Sequence, residues 1–123
     1  MSSATMAQRA YSSNIETVST PRSVEFQVIG RITHRLKKAV TSKNRLALIE
    51  AMHENRILWN TLAADVASPK NELPDELRAR ILYLADFTAQ HTRKVLRNEE
   101  SPVPLLEINA AVLGGLQTEG MQS

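Results

Sequence analysis

Leu48, Met52, Asn55, Trp59, Leu62 and Val66 follow one another at spacings of four, three, four, three and four. An α-helix gathers such a series on one face, because its turn of about 3.6 residues returns to the same side every three or four positions. The stripe is apolar except for Asn55, so the helix demands neighbours that cover it. A carboxamide taken out of water costs roughly 1–3 kcal/mol unless it finds a hydrogen-bond partner. At least one neighbour must therefore satisfy the amide as well. The same arrangement returns near the C-terminus, where Leu105, Asn109, Val112 and Leu116 share a face. No sustained period-two alternation competes, and there is no internal repeat.

Punctuation around these stripes divides the chain. Thr20-Pro21 opens a first helix, with Thr as its cap and Pro at a position whose missing N–H needs no partner. Its apolar face is Val28, Ile29, Ile32, Leu36, Ala39 and Val40, with His34 on the polar side. Residues 41–44 form a short connection that predicts an antiparallel second helix, capped by Ser42 and running to about Val66. Ser68-Pro69 stops it. Pro74 starts a third helix whose first turn carries Asp75 and Glu76, signs suited to the positive helix N-terminus. Its face is Leu77, Ile81, Leu84, Thr88 and Val95, with His91 at the edge; Arg93, Lys94 and Arg97 suit its C-terminal end. A fourth helix runs from Pro104 to about Leu116. Gly114-Gly115 near its end weakens it by about 1 kcal/mol per glycine, making it the least stable element. The expectation is an all-α fold, a small bundle of about four helices with a flexible N-terminal arm. Residues 1–19 are the mobile arm, 20–117 the helical domain and 118–123 a frayed tail.

Charge is unevenly placed. Residues 22–45 hold seven basic groups against one acid, a net +6, while the whole chain carries only +2. Arg31, Arg35, Lys37, Lys38, Lys43 and Arg45 make a basic patch that suits an acidic partner, RNA or plain solvent. Phe26 is the one aromatic among them, which is thin support for nucleic acid but leaves it as the alternative partner. With no cysteine there is no disulfide or thiolate metal site. No run of about 18 apolar residues suggests a membrane span, and no secretory layout opens the chain, so a cytoplasmic protein is expected.

Catalytic patterns are missing. His34, His53 and His91 lie apart and on different faces, without a second ligand at metal spacing. There is no glycine-rich phosphate loop and no nucleophile elbow. Glu50 and Glu54 stand one turn apart on a polar side, as solvated carboxylates do. No catalytic, cofactor-binding or metal-binding residue is expected, and the chain is not read as an enzyme. The polar and aromatic residues in the stripes carry the functional interest. Asn55 and Asn109 either fix the register of the bundle or line a groove for a partner helix. Trp59 is core or a binding anchor, and Tyr11 on the arm is a further anchor. The candidate partner-binding set is Tyr11, Asn55, Trp59, Leu84, Phe87 and Asn109.

Taken together, these segments resemble the FlaF family of flagellar biosynthesis proteins of α-proteobacteria. The resemblance rests on Gln8-Arg9-Ala10-Tyr11, Thr20-Pro21-Arg22, Asn55-Arg56-Ile57-Leu58-Trp59, Leu73-Pro74-Asp75-Glu76-Leu77-Arg78 with Leu84-Ala85-Asp86-Phe87, and Ile108-Asn109 with Gly115-Leu116. It spans roughly residues 8–116, with the arm longer and richer in serine than the family pattern. It implies a cytoplasmic flagellin chaperone that supports flagellin production and export alongside the regulator FlbT. Flagellin is then the partner, with FlbT a second one. The alternative is a post-transcriptional regulator of flagellin mRNA, working through the basic first helix or together with FlbT.

Overall fold

The computed structural model describes residues 21–122, with side chains considered over 26–115. The expected mobile arm, with Tyr11 and the Thr20 cap, lies outside the described residues. Within them the chain forms four helices: α1 (Pro21–Ser42), α2 (Arg45–Ala67), α3 (Asp75–Leu96) and α4 (Val103–Gln122). The all-α expectation holds, and each helix lies close to where periodicity and punctuation placed it.

The connections show how local chemistry sets the boundaries. Ser42 does not cap α2. It ends α1, where its hydroxyl donates to the Ala39 carbonyl at 3.0 Å. Lys43 then turns left-handed (φ 55°), and Asn44 becomes the cap, its Oδ1 accepting from the Ala47 N–H at 3.1 Å. Ser and Asn are both good caps, and only the turn decides which one faces the helix. At the other end of α2, Ser68 leaves the helix with extended backbone (ψ 137°). Arg78, one turn into α3, reaches back and donates from Nε to the Val66 carbonyl (2.9 Å) and from Nη2 to the Ser68 carbonyl (3.2 Å). Carbonyls that α2 cannot satisfy internally are thus taken up by a guanidinium fork. Pro74 flanks α3 rather than entering it, and Asp75 and Glu76 supply the favourable charge.

α3 ends in a Schellman turn. The Asn98 N–H bonds to the Val95 carbonyl and the Glu99 N–H to the Lys94 carbonyl, both at 2.9 Å, with Asn98 left-handed (φ 62°). α4 begins one residue before Pro104, because the Ser101 hydroxyl accepts the Val103 N–H (3.1 Å) and the Pro102 carbonyl the Leu105 N–H (3.0 Å). Its bounds reach Gln122, past the expected stop near Leu116. No proline follows the glycines, and extending an existing helix needs only one residue fixed per new hydrogen bond.

Two apolar clusters form the core. The first joins Val28, Ile29 and Ile32 of α1 to Leu58, Trp59 and Val66 of α2 and Ile81 of α3, with Ile108, Val112 and Leu113 of α4 packed against it. The second joins Leu36 and Ala39 of α1 to Ala51 and Met52 of α2, Val95 of α3 and Leu105 of α4. Membership runs in opposite directions along α1 and α2, and again along α2 and α3, so each helix is antiparallel to the next. Each fully buried Val, Leu, Ile or Met side chain among them contributes about 1.5–3 kcal/mol.

Candidate functional site

Between the two clusters lies a polar layer. On α1 it is Thr33, on α2 Asn55, on α3 Thr88 and Thr92, and on α4 Asn109; each falls between members of the two clusters in its own helix. Asn55 and Asn109 are both 0% exposed. The indole N–H of Trp59 donates to Asn109 Oδ1 at 2.9 Å. Asn109 Nδ2 donates to Asn55 Oδ1 at 2.8 Å and to Thr33 Oγ1 at 3.1 Å. The Thr33 hydroxyl in turn donates to the Ile29 carbonyl at 2.6 Å. One amide on α4 is therefore gripped by α1 and α2 at once. Asn55 Nδ2 and the hydroxyls of Thr88 and Thr92 have no hydrogen-bond partner among the described residues.

The structure thus divides the candidate partner-binding residues. Asn55, Trp59 and Asn109 come together, but as an interior network with no surface of their own in this arrangement. The Asn109 amide is satisfied on both its oxygen and its nitrogen, and the Asn55 amide through its oxygen alone. Leu84 is half-buried against the first cluster. Phe87, 38% exposed, stacks on His91 with ring centroids 5.5 Å apart and planes 11° apart. His91 is buried, not at the edge as expected, and its Nε2–H donates to the Ser101 carbonyl at 2.7 Å, tying α3 to the turn before α4. Beside Phe87 stand Leu82 and Tyr83, the latter 70% exposed. Tyr83 and Phe87, one turn apart, form a short apolar strip on the outer side of α3, and Leu82 stands about a quarter turn aside from it. Sequence reasoning missed Leu82 and Tyr83, although their offset from the buried Ile81–Thr88 stripe was a readable signal. It also missed Thr33, whose type and position are ordinary for a helix.

A concavity of about 500 Å³ lies between α2 and α3 and is lined by Ile49, Met52, His53, Arg56, Thr92 and Leu96. Leu46 and Ile49 are exposed beside it. Two of the six basic residues make contacts within the fold. Arg35 pairs with Glu54 across to α2 at 2.6 Å, and Arg45 donates to the Leu96 carbonyl at 2.9 Å. Arg31, Lys37, Lys38 and Lys43 point outward. Among the described residues no three His, Asp or Glu side chains are grouped to hold a metal ion. No described helix is long and apolar enough to cross a membrane.

No curated protein and no solved structure matches the chain. A family model described as flagellar protein FlaF matches residues 7–116, from the expected arm through the α4 glycines. That span takes in the polar layer, the Arg78 clasp and the α3 strip, and with it the chain belongs to the FlaF family of flagellar proteins.

Proposed function

We propose that this chain binds flagellin in the cytoplasm as an export chaperone and so supports flagellin production and flagellum assembly. Family membership supplies the flagellar setting. The observation that carries the binding reading is the exposed aromatic strip of Tyr83 and Phe87 on α3. Unassembled flagellin has amphipathic terminal segments that need their apolar faces covered, and an aromatic strip on a rigid helix suits helix-against-helix recognition. A modest contact centred on two aromatic rings binds well enough to shield such a segment and weakly enough to release it at export.

The test mixes the purified chain with monomeric flagellin and follows the complex by size-exclusion chromatography and calorimetry. Tyr83→Ala and Phe87→Ala should each weaken the complex about tenfold, as befits a hot-spot aromatic, while leaving helicity intact. Absence of a complex at tens of micromolar, or insensitivity to both substitutions, would defeat the reading.

Regulation of flagellin mRNA is the second reading, favoured by the outward Arg31, Lys37, Lys38 and Lys43. Transcript binding through these groups would fall steeply with added salt, whereas the aromatic contact would not. Replacing Lys37 and Lys38 with Gln separates the two readings, since neither lysine touches the α3 strip.

A further inference from the structure

We propose that α4 is a replaceable occupant of the groove formed by α1, α2 and α3, and that this groove accepts an amphipathic helix bearing a buried carboxamide. The occupant would carry Asn at the Asn109 position, Leu four residues before it and a branched aliphatic residue three residues after it. The inference concerns a different surface from the α3 strip and does not depend on flagellin being the partner.

The hold on α4 is polar at its centre. Among the described side chains α4 contributes one fully buried hydrophobic residue, Leu105, and one fully buried amide, Asn109. α2, by comparison, buries Ala51, Met52, Leu58, Trp59 and Val66. Ile108, Val112 and Leu113 are only partly covered. An apolar groove would take any greasy helix, but this one presents an indole N–H donor, an amide acceptor and a hydroxyl at one level. Only a side chain with both a carbonyl oxygen and an NH₂ answers all three, and Asn and Gln are the residues that have both. A leucine there would leave the Trp59 donor and the Asn55 acceptor buried and unpaired, which selects against it. Asn55 Nδ2, fully buried, is a donor α4 does not use.

The helix is also weakened where packing does not require it. A Cβ on Gly114 or Gly115 would meet nothing within 4 Å, and neither residue has positive φ. Neither close approach nor an unusual turn explains these glycines. Their effect is to lower the stability of α4 relative to alanine. The Schellman turn and the His91–Ser101 bond fix the connection at residues 97–102, so α4 can leave while the other three helices keep their caps.

Arithmetic sets the concentration. A short tether holds α4 at an effective concentration in the millimolar range. A free helix with alanine in place of both glycines has an advantage of roughly thirty-fold over α4. Half-displacement therefore falls on the order of tens of micromolar.

The experiment uses the full chain and a labelled synthetic peptide. The peptide has the sequence of residues 103–116 with Ala for both glycines and added C-terminal lysines for solubility. A second peptide carries Leu in place of the Asn. Binding is read by anisotropy, and release of α4 by hydrogen exchange at residues 105–115. The Asn peptide should bind at tens of micromolar and strip protection from α4, with the Leu peptide at least tenfold weaker. Equal binding of both peptides would overturn the carboxamide rule. Unchanged α4 protection up to millimolar peptide would overturn exchange altogether. A dimer that trades α4 between two copies and ignores the peptide would overturn the claim that the groove accepts a separate helix. No flagellin enters the assay, so its failure and that of the chaperone reading are separately visible.

Discussion

Replacing Asn109 with leucine separates a packing role from a hydrogen-bonding one. Asn109 makes three bonds, at 2.9 Å from the Trp59 indole, 2.8 Å to Asn55 Oδ1 and 3.1 Å to Thr33 Oγ1. Thr33 keeps the Ile29 carbonyl as its acceptor after the substitution, so it is not orphaned. The Trp59 N–H and Asn55 Oδ1 are, at about 1–3 kcal/mol each. Burying leucine in place of an amide returns at most about 2 kcal/mol. The two orphans together cost about 2–6 kcal/mol, so the net loss is about 0–4 kcal/mol even with the full return, against the roughly 5–15 kcal/mol that holds a domain of this kind together. Trp59→Phe removes the donor from the other side and should cost a similar amount. Once both are changed, the Trp59 orphan no longer exists, so the double variant should lose less than the sum by about 1–2 kcal/mol. Urea unfolding followed by far-ultraviolet circular dichroism reads this directly, provided the slope with denaturant stays constant across the four proteins. Strict additivity across the cycle would refute the claim that the layer acts as one bonded unit.

Three further outcomes follow from individual contacts. Gly114→Ala and Gly115→Ala should each stabilise the protein by about 0.5–1 kcal/mol, seen as a higher urea midpoint and slower exchange in α4, since the added methyl meets open space. Asn44→Ala should cost about 1 kcal/mol through loss of the cap on Ala47, with Asn44→Ser nearly neutral; a silent alanine variant would argue against the cap. Arg78→Lys should lose about 1–2 kcal/mol in thermal unfolding despite keeping the charge, because an ammonium cannot reproduce the fork that spans the Val66 and Ser68 carbonyls.

The fold and the candidate site were legible to different depths. Helix positions were written in spacing and punctuation: Leu48 to Val66 could face one way only as a helix, and Pro69, Pro74 and Pro102 mark where helices cannot continue. The cost of burying Asn55 and Asn109 was equally visible, since it depends on residue type and on the apolar company each one keeps. Their pairing was not. Fifty-four positions separate them, and a carboxamide on a stripe is satisfied equally well by a loop carbonyl, a hydroxyl or another amide. Thr33 carried no signal at all, because a helical threonine bonding back one turn is ordinary.

The surface was the other thing that tertiary packing decided. Ile81, Leu82, Tyr83 and Leu84 form an unbroken apolar run that winds once around the helix, so the sequence presents four similar side chains facing four directions. Whether a given one is core or docking strip depends on where neighbouring helices happen to stand. α2 and α4 cover Ile81 and much of Leu84 and leave Tyr83 in water. Local chemistry sets what each segment becomes, because turns, caps and periodicity act over a few residues. Which apolar groups remain uncovered, and which buried amides meet, are properties of distances between segments remote in the chain, and those exist only once the helices have packed.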